Sequence, residues 1–330
     1  MKKAEGTILL ARADVAGLLT LDECISAVEE AFRQQGLGQT SPSKVMGMPA
    51  TGGGFHIKAA LFGVSAPYFA AKLNGNFFYN KQRFAMPNIQ GLIVFCDATS
   101  GYPLAVMDSI EITILRTGAA SAVAAKYLAR TDSKVATICG CGNQGRIQLR
   151  ALLRVLPLEH IYAFDSDQNQ ARGFAKECSQ QLGIAVEAVE DLARAVQKSD
   201  VCVTCTPAKQ YFLRKDCVAP GTFVAAVGAD NEDKQELDPQ LLASSKVVTD
   251  VLEQCAEIGD LHHAIAAGLM TPGDVHAELG EVVAGRKPGR TSAEEITIFD
   301  STGTALQDVA AAAVVYERAA KSGQGARFHF

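Results

Sequence analysis

The sequence predicts an α/β protein: a doubly wound parallel sheet plus a second, α+β domain built from both chain ends. Three observations carry this. From residue 134 apolar runs alternate with helix-like stretches, the rhythm of a parallel sheet with helices on both faces. Residues 40–106 instead show short apolar runs separated by Gly, Pro, Asn and Asp, as in a mostly antiparallel sheet. Near the C terminus, "TALQDVAAAAVVYERAAK" reads as a helix that packs back on the first region. The expected domains are residues 126–303, and residues 1–125 with 304–330.

The elements follow in order. Leu19, Leu21, Ile25, Val28 and Phe32 give residues 18–36 the spacing of an amphipathic helix. In the next region "DATSGYP" reads as a hairpin turn. "SIEITILRTGAASAVAAKYLAR" is helical, with Arg116 placed at a helix start. Then come the strand "KVATICG", a helix, the strand "HIYAFD" and the helix "QNQARGFAKECSQQL". "IAVEAV", "DVCVTCTP", "GTFVAAVGAD", "KVVTDV" and "EITIFDS" supply further strands, with "DLARAVQKS" a helix among them.

Composition narrows the function. The chain has 330 residues, a formal charge of -5 and 48% apolar residues. That allows a sizeable core, and no basic excess suits nucleic acid. No window approaches the roughly 18 uninterrupted apolar residues of a membrane span. Glu5, Arg12 and Asp14 interrupt any signal-peptide core, so a cytoplasmic protein is expected. Cys202-x-x-Cys205 has redox or metal spacing, but it lies in an apolar strand-like run, and no second Cys pair or His pair completes a zinc site. No metal is expected.

Gly140-x-Gly142-x-x-Gly145 follows a strand and opens a helix. The first glycine allows a tight turn, the second lets backbone approach a pyrophosphate, and the third lets helix and strand pack closely. The helix start offers N–H groups and a positive dipole end to phosphates. Asp165 ends the next strand, twenty residues past Gly145, where a carboxylate accepts from ribose hydroxyls and repels a 2′-phosphate. A Rossmann-type domain with NAD(H) as cofactor is therefore expected.

Three other residues are candidates for chemistry. Lys72 lies in an apolar strand, and Arg116 gains nothing from the dipole at a helix start. Asp230 follows a strand at the sheet's C-terminal edge, where open α/β folds bind ligands. Each also has an ordinary reading: a snorkelling lysine, a paired arginine, a turn-forming aspartate.

"RTGAASAVAAKYLAR", "GCGNQG", "VGADNEDKQELDP" and "FDSTGTALQD", in that order, resemble the ornithine cyclodeaminase/mu-crystallin family over nearly the whole chain. The resemblance implies that Lys72 and Arg116 bind a substrate carboxylate and that Asp230 is the general acid/base. It implies cofactor contacts from Arg116, Asn143, Gln144, Asp165, Thr206, Val227, Lys234 and Ser301, and a substrate contact from Thr302. The family often carries an Arg upstream of the strand lysine. Here Lys44 stands in that region and Lys58 is a rival. Asn88 stands where a cofactor-contacting Thr is usual.

The implied activity is interconversion of an L-amino acid and its imine by hydride transfer, as a cyclodeaminase or an amino-acid dehydrogenase. The alternatives are a ketimine reductase and a mu-crystallin-like small-molecule binding protein. Lys72, Arg116 and Asp230 together favour an enzyme. A homodimer through the first domain's sheet is expected, since residues 40–106 hold more apolar runs than one solvent-facing sheet needs.

Overall fold

In the computed structural model, which describes residues 6–63, 67–77 and 79–329, the chain divides into two units. Residues 1–116 and 304–330 form one, and residues 117–303 the other. The first unit begins with β1 (Thr7–Leu10), α1 (Arg12–Leu18) and α2 (Leu21–Gly36). Thr20 and Glu23 form a capping box at the start of α2, and Ile25, Val28 and Phe32 are buried along it. Then follow β2 (Lys44–Ala50), β3 (Gly53–Phe62), β4 (Tyr68–Phe77), α3 (Asn80–Phe84), β5 (Ile89–Asp97) and β6 (Pro103–Asp108). These five strands form a continuous antiparallel array. The predicted hairpin turn joins β5 to β6, where Asp97 accepts from the Thr99 and Ser100 amides.

The following helix, α4 (Ile110–Leu128), starts six residues before Arg116. Arg116 is therefore not at a helix start. It lies nearly two turns in, because the polar "DSIE" segment opens the helix earlier than the arginine suggests.

The second unit contains β7 (Val135–Cys139), α5 (Asn143–Leu152), β8 (His160–Phe164), α6 (Gln168–Leu182), β9 (Ala185–Ala188), α7 (Leu192–Val196) and β10 (Val201–Thr204). It continues through β11 (Lys209–Leu213), β12 (Phe223–Ala226), β13 (Gln235–Leu237), α8 (Pro239–Ala243) and β14 (Lys246–Thr249). It ends with α9 (Leu252–Ile258), α10 (Asp260–Ala266), β15 (Ala277–Glu278), α11 (Leu279–Val283) and β16 (Thr297–Asp300). Eight parallel strands run in the order β15-β14-β16-β12-β10-β7-β8-β9. β10, β12 and β16 are buried at every position, so both faces of the sheet are covered. The chain grows outward from β7 through β8 to β9, then returns to β10 on the other side, which makes β7/β10 the topological switch point.

The chain closes in the first unit with α12 (Ala305–Ser322) and β17 (Ala326–Phe328). α12 packs on α2, β3 and β4, and β17 pairs with β1. That seven-stranded sheet runs β17-β1-β6-β5-β4-β3-β2.

A ladder of buried carboxylates fixes the loops at the C-terminal edge of the parallel sheet. Asp300, ending β16, accepts from the Asp260 and Leu261 amides at the start of α10. Asp260 Oδ1 accepts from the Glu236 and Leu237 amides, both at 2.8 Å. Glu236 accepts from Thr206 N (2.6 Å) and Thr206 Oγ1 (2.7 Å) after β10, and from Gly228 N (3.0 Å) after β12. Among the described residues no such cluster converges to hold a metal ion. Burial lifts the Glu236 carboxyl from its ordinary 4.5 to about 7, with Asp260 pushing the same way. A carboxyl raised in the fold contributes stability that is complete below its unfolded value and lost as pH rises through its folded value. Glu236→Gln does not titrate. The stability lost by this variant should therefore shrink as pH rises from about 5 to about 8. Thermal melts of both proteins across that range check this, and a constant or widening gap contradicts it.

Candidate active site

In the first unit three cations gather on one face of the antiparallel sheet. Lys72 on β4 is registered directly opposite Lys58 on β3. Side chains at paired positions share a face. α12 packs on these two strands and brings Asp308, whose oxygens lie 2.8 and 2.7 Å from Lys72 Nζ. Arg116 Nε lies 3.2 Å from the same carboxylate, and its Nη1 donates to Gln307 Oε1 at 3.0 Å. Lys72, Arg116 and Asp308 are all buried. Burial pushes the Lys72 ammonium down from 10.5 to about 7, opposed by Asp308 and reinforced by Arg116 and Lys58. Burial raises the Asp308 carboxyl, but the charges of Lys72 and Arg116 outweigh this and hold it below its ordinary value.

Lys44 is placed differently. It begins β2 in register with Ala59, which pairs with Ala71. Strand alternation puts that row on the face opposite Lys72, and Lys44 is exposed. Asn88 spends its side-chain oxygen on the Lys81 amide and its carbonyl on the Phe77 amide.

The second unit holds the glycine motif at the switch point. Gly140 has φ +102, and a Cβ there would lie 2.8 Å from the Cys205 carbonyl oxygen. A Cβ on Gly145 would lie 2.1 Å from Gly140 O, so strand and helix touch through this pair. A Cβ on Gly142 meets nothing within 4 Å. Gly142 caps α5 without a side-chain hydrogen bond, and Asn143 and Gln144 form the first turn. Gln144 Oε1 is buried without a hydrogen-bond partner. An uncapped helix N-terminus, an open glycine and an unsatisfied amide oxygen fit the diphosphate and amide groups of a dinucleotide. Asp165 lies beside them. Its Oδ2 accepts from Cys141 N at 2.9 Å and its Oδ1 from Asp167 N at 3.0 Å. A carboxylate has about four acceptor sites, so it retains capacity for ribose hydroxyls.

The remaining predicted residues lie on loops after neighbouring strands. Thr206 follows β10 and is held by Glu236. Val227 follows β12 and donates to Thr204 O at 2.9 Å. Asp230 is half-exposed and receives Lys234 Nζ at 2.6 Å, while the same ammonium donates to Gly228 O at 3.3 Å. After β16, Ser301 Oγ and Gly303 N donate to Asp250 Oδ2 at 2.9 and 2.7 Å, and Thr302 Oγ1 to Oδ1 at 3.3 Å.

Sequence reasoning missed Asp308, Gln307, Glu236, Asp260 and Asp250. One signal was available for Asp308: it is the lone charge between residues 305 and 316 of an alanine- and valine-rich helix. A charge so placed is buried and needs a partner.

The model of the ornithine cyclodeaminase/mu-crystallin family matches residues 5–323. The alanine dehydrogenase of Archaeoglobus fulgidus is 40% identical over 326 residues, 98% of each chain. An archaeal alanine dehydrogenase, solved as a dimer with bound NAD, superposes with a TM-score of 0.92 at 40% identity, covering 98% of this chain and 99% of that one. The Δ1-pyrroline-2-carboxylate reductase of Thermococcus litoralis, solved with NADH and L-proline, gives 0.89 at 34% identity, covering 98% of this chain and all of the other. Matched by the family model over residues 5–323 and by a 40% identical relative over 98% of its length, this protein belongs to the ornithine cyclodeaminase/mu-crystallin family.

Proposed function

We propose that the protein is an NAD(H)-dependent enzyme interconverting an L-amino acid and its imine at the α-carbon. The observation that carries this reading is the cation cluster: Lys72 and Arg116 share one carboxylate, Asp308, with Lys58 registered opposite Lys72, and so retain positive charge for a substrate carboxylate. The α5 N-terminus, Gly142 and Gln144 would hold the diphosphate, and Asp165 the adenosine ribose, which favours NAD(H) over NADP(H). When bound, NAD(H) accepts or supplies the hydride at the substrate α-carbon. Lys72 and Arg116 fix the carboxylate and hence the face of the α-carbon presented. Asp230 takes the proton from the substrate nitrogen in the oxidative direction and returns it in the reductive one. Lys234 orients that carboxylate. All nine cysteines are free, which supports a reducing compartment such as the cytoplasm. Among the described residues no helix is long and apolar enough to cross a membrane.

Absorbance at the NADH band with a panel of L-amino acids tests the reading. Net NADH formation marks a dehydrogenase, ammonia release without net NADH marks a cyclodeaminase, and neither leaves a binding protein. With the substrate so found, Asp230→Asn should lower turnover about 10²–10⁴-fold while leaving NAD(H) affinity near native. Near-native turnover removes Asp230 from the mechanism.

The two upstream lysines separate by substitution. Lys58→Met should raise KM about 10–100-fold, the loss of one charge-assisted hydrogen bond. Lys44→Met should leave KM nearly unchanged. The reverse result would return the role to Lys44.

The sheet face away from α12 supports a homodimer. Met46, Leu73 and Leu92 lie in one cross-strand row through Ile57, with Met48, Phe55 and Val94 exposed in adjacent rows. An apolar face of this kind is an association surface, and a second copy supplies a matching one by two-fold symmetry. Sedimentation should show a dimer at micromolar concentration and a monomer for the double substitution Leu73→Glu, Leu92→Glu. A native monomer contradicts the assignment.

A further inference from the structure

We propose that Asp308 is a positioning residue, holding Lys72 and Arg116 as a charged, aimed pair for the substrate carboxylate. The inference rests on the amino-acid/imine reading above. Asp308 lies in the first turn of α12, where the helix dipole favours an anion. It is 1% exposed, so neither solvent nor substrate is its main partner. Its two oxygens span Lys72, and one of them also meets Arg116 Nε. The preceding residue, Gln307, holds the other side of the guanidinium. One turn of helix thus fixes two cations from two different elements, β4 and α4.

Charge balance separates this from a purely structural ion pair. A structural pair cancels; here two cations, Lys72 and Arg116, share one anion, a formal surplus of one positive charge. Burying surplus charge costs stability and is retained where an incoming anion completes it. The groups facing Lys72 are Asp308 from α12, Arg116 from α4 and Lys58 from β3. Cys24 on α2 lies near Arg116 and Asp308, and burial raises its thiol to about 12, so it stays neutral. Of these, only Asp308 favours the protonated amine. Without it, Lys72 loses its proton at lower pH, and a neutral amine no longer attracts a carboxylate.

The test is Asp308→Asn, which keeps shape and removes charge. KM for the amino acid should rise about tenfold or more at mildly alkaline pH, with a smaller change in kcat. The alkaline limb of kcat/KM should move to lower pH, because the free-enzyme group that must stay protonated has lost its counter-ion. A second readout needs no turnover: the ¹³Cε resonance of Lys72 in lysine-labelled protein, assigned with Lys72→Arg, should titrate at lower pH in D308N. An unchanged Lys72 titration in folded D308N overturns the proposal even if activity falls. Failure of the native enzyme on every amino acid overturns the functional reading instead, and the resonance still decides the role of Asp308. Should D308N not fold, Asp308→Glu keeps the charge but displaces it by one methylene. KM should then rise with the alkaline limb in place, and an unchanged KM overturns the proposal.

Discussion

The reversal in the direction of sheet growth at β7 and β10 is the constraint on which the second unit depends. A parallel sheet that grows first to one side and then to the other must part its loops at that point. Here the parting is so tight that backbone of one loop rests on backbone of the other: Gly140 faces the Cys205 carbonyl where a side chain would stand. Everything nearby is a consequence. α5 must start at once, its helix pressed on the strand at Gly145, and its first turn is left without a side-chain cap. The same sterics that make the turn possible leave amide groups pointing outward, ready for an anion.

Both units solve a similar electrostatic problem with buried carboxylates, but in different ways. In the second unit Asp300, Asp260 and Glu236 are met by backbone amides and, at Glu236, by the Thr206 hydroxyl, each carboxylate holding a segment of the next loop. Neutral donors do not cancel charge, so burial raises the protonation range of Glu236 and Asp260. In the first unit Asp308 is met by cations, and its carboxyl is held low. The ladder fixes loops; the ion cluster fixes charges.

Local signals were legible in the sequence and distant ones were not. α6 runs over Gln168–Leu182, the stretch "QNQARGFAKECSQQL" singled out by its pattern, because its cap Asp167 and its stop Gly183 are adjacent in the chain. The glycine turn, Asp165 at the end of β8 and the β5–β6 turn were equally local. β1 and β17 were missed because four- and three-residue strands carry no periodicity and exist only through their partners. α9, α10 and α11 have seven, seven and five residues, below the window in which helical spacing shows. The same holds for the site: Lys72 stood out as a charge in an apolar strand, whereas its counter-ion lies 236 residues further along. Assigning Lys44 and Lys58 to opposite faces of the sheet required the pairing register of β2, β3 and β4, which alternation alone does not supply.

The return of α12 and β17 to the first unit bears on how the chain is made. Residues 117–303 are contiguous, so that unit holds all its strands before synthesis ends. The other unit does not. β1 waits for its outer partner β17, and Lys72 and Arg116 wait for Asp308. Domains fold as units during synthesis, N-terminal parts ordinarily first. Here the N-terminal residues emerge first, but the outer partner of β1 and the carboxylate partner of the buried cations Lys72 and Arg116 emerge only with α12 and β17.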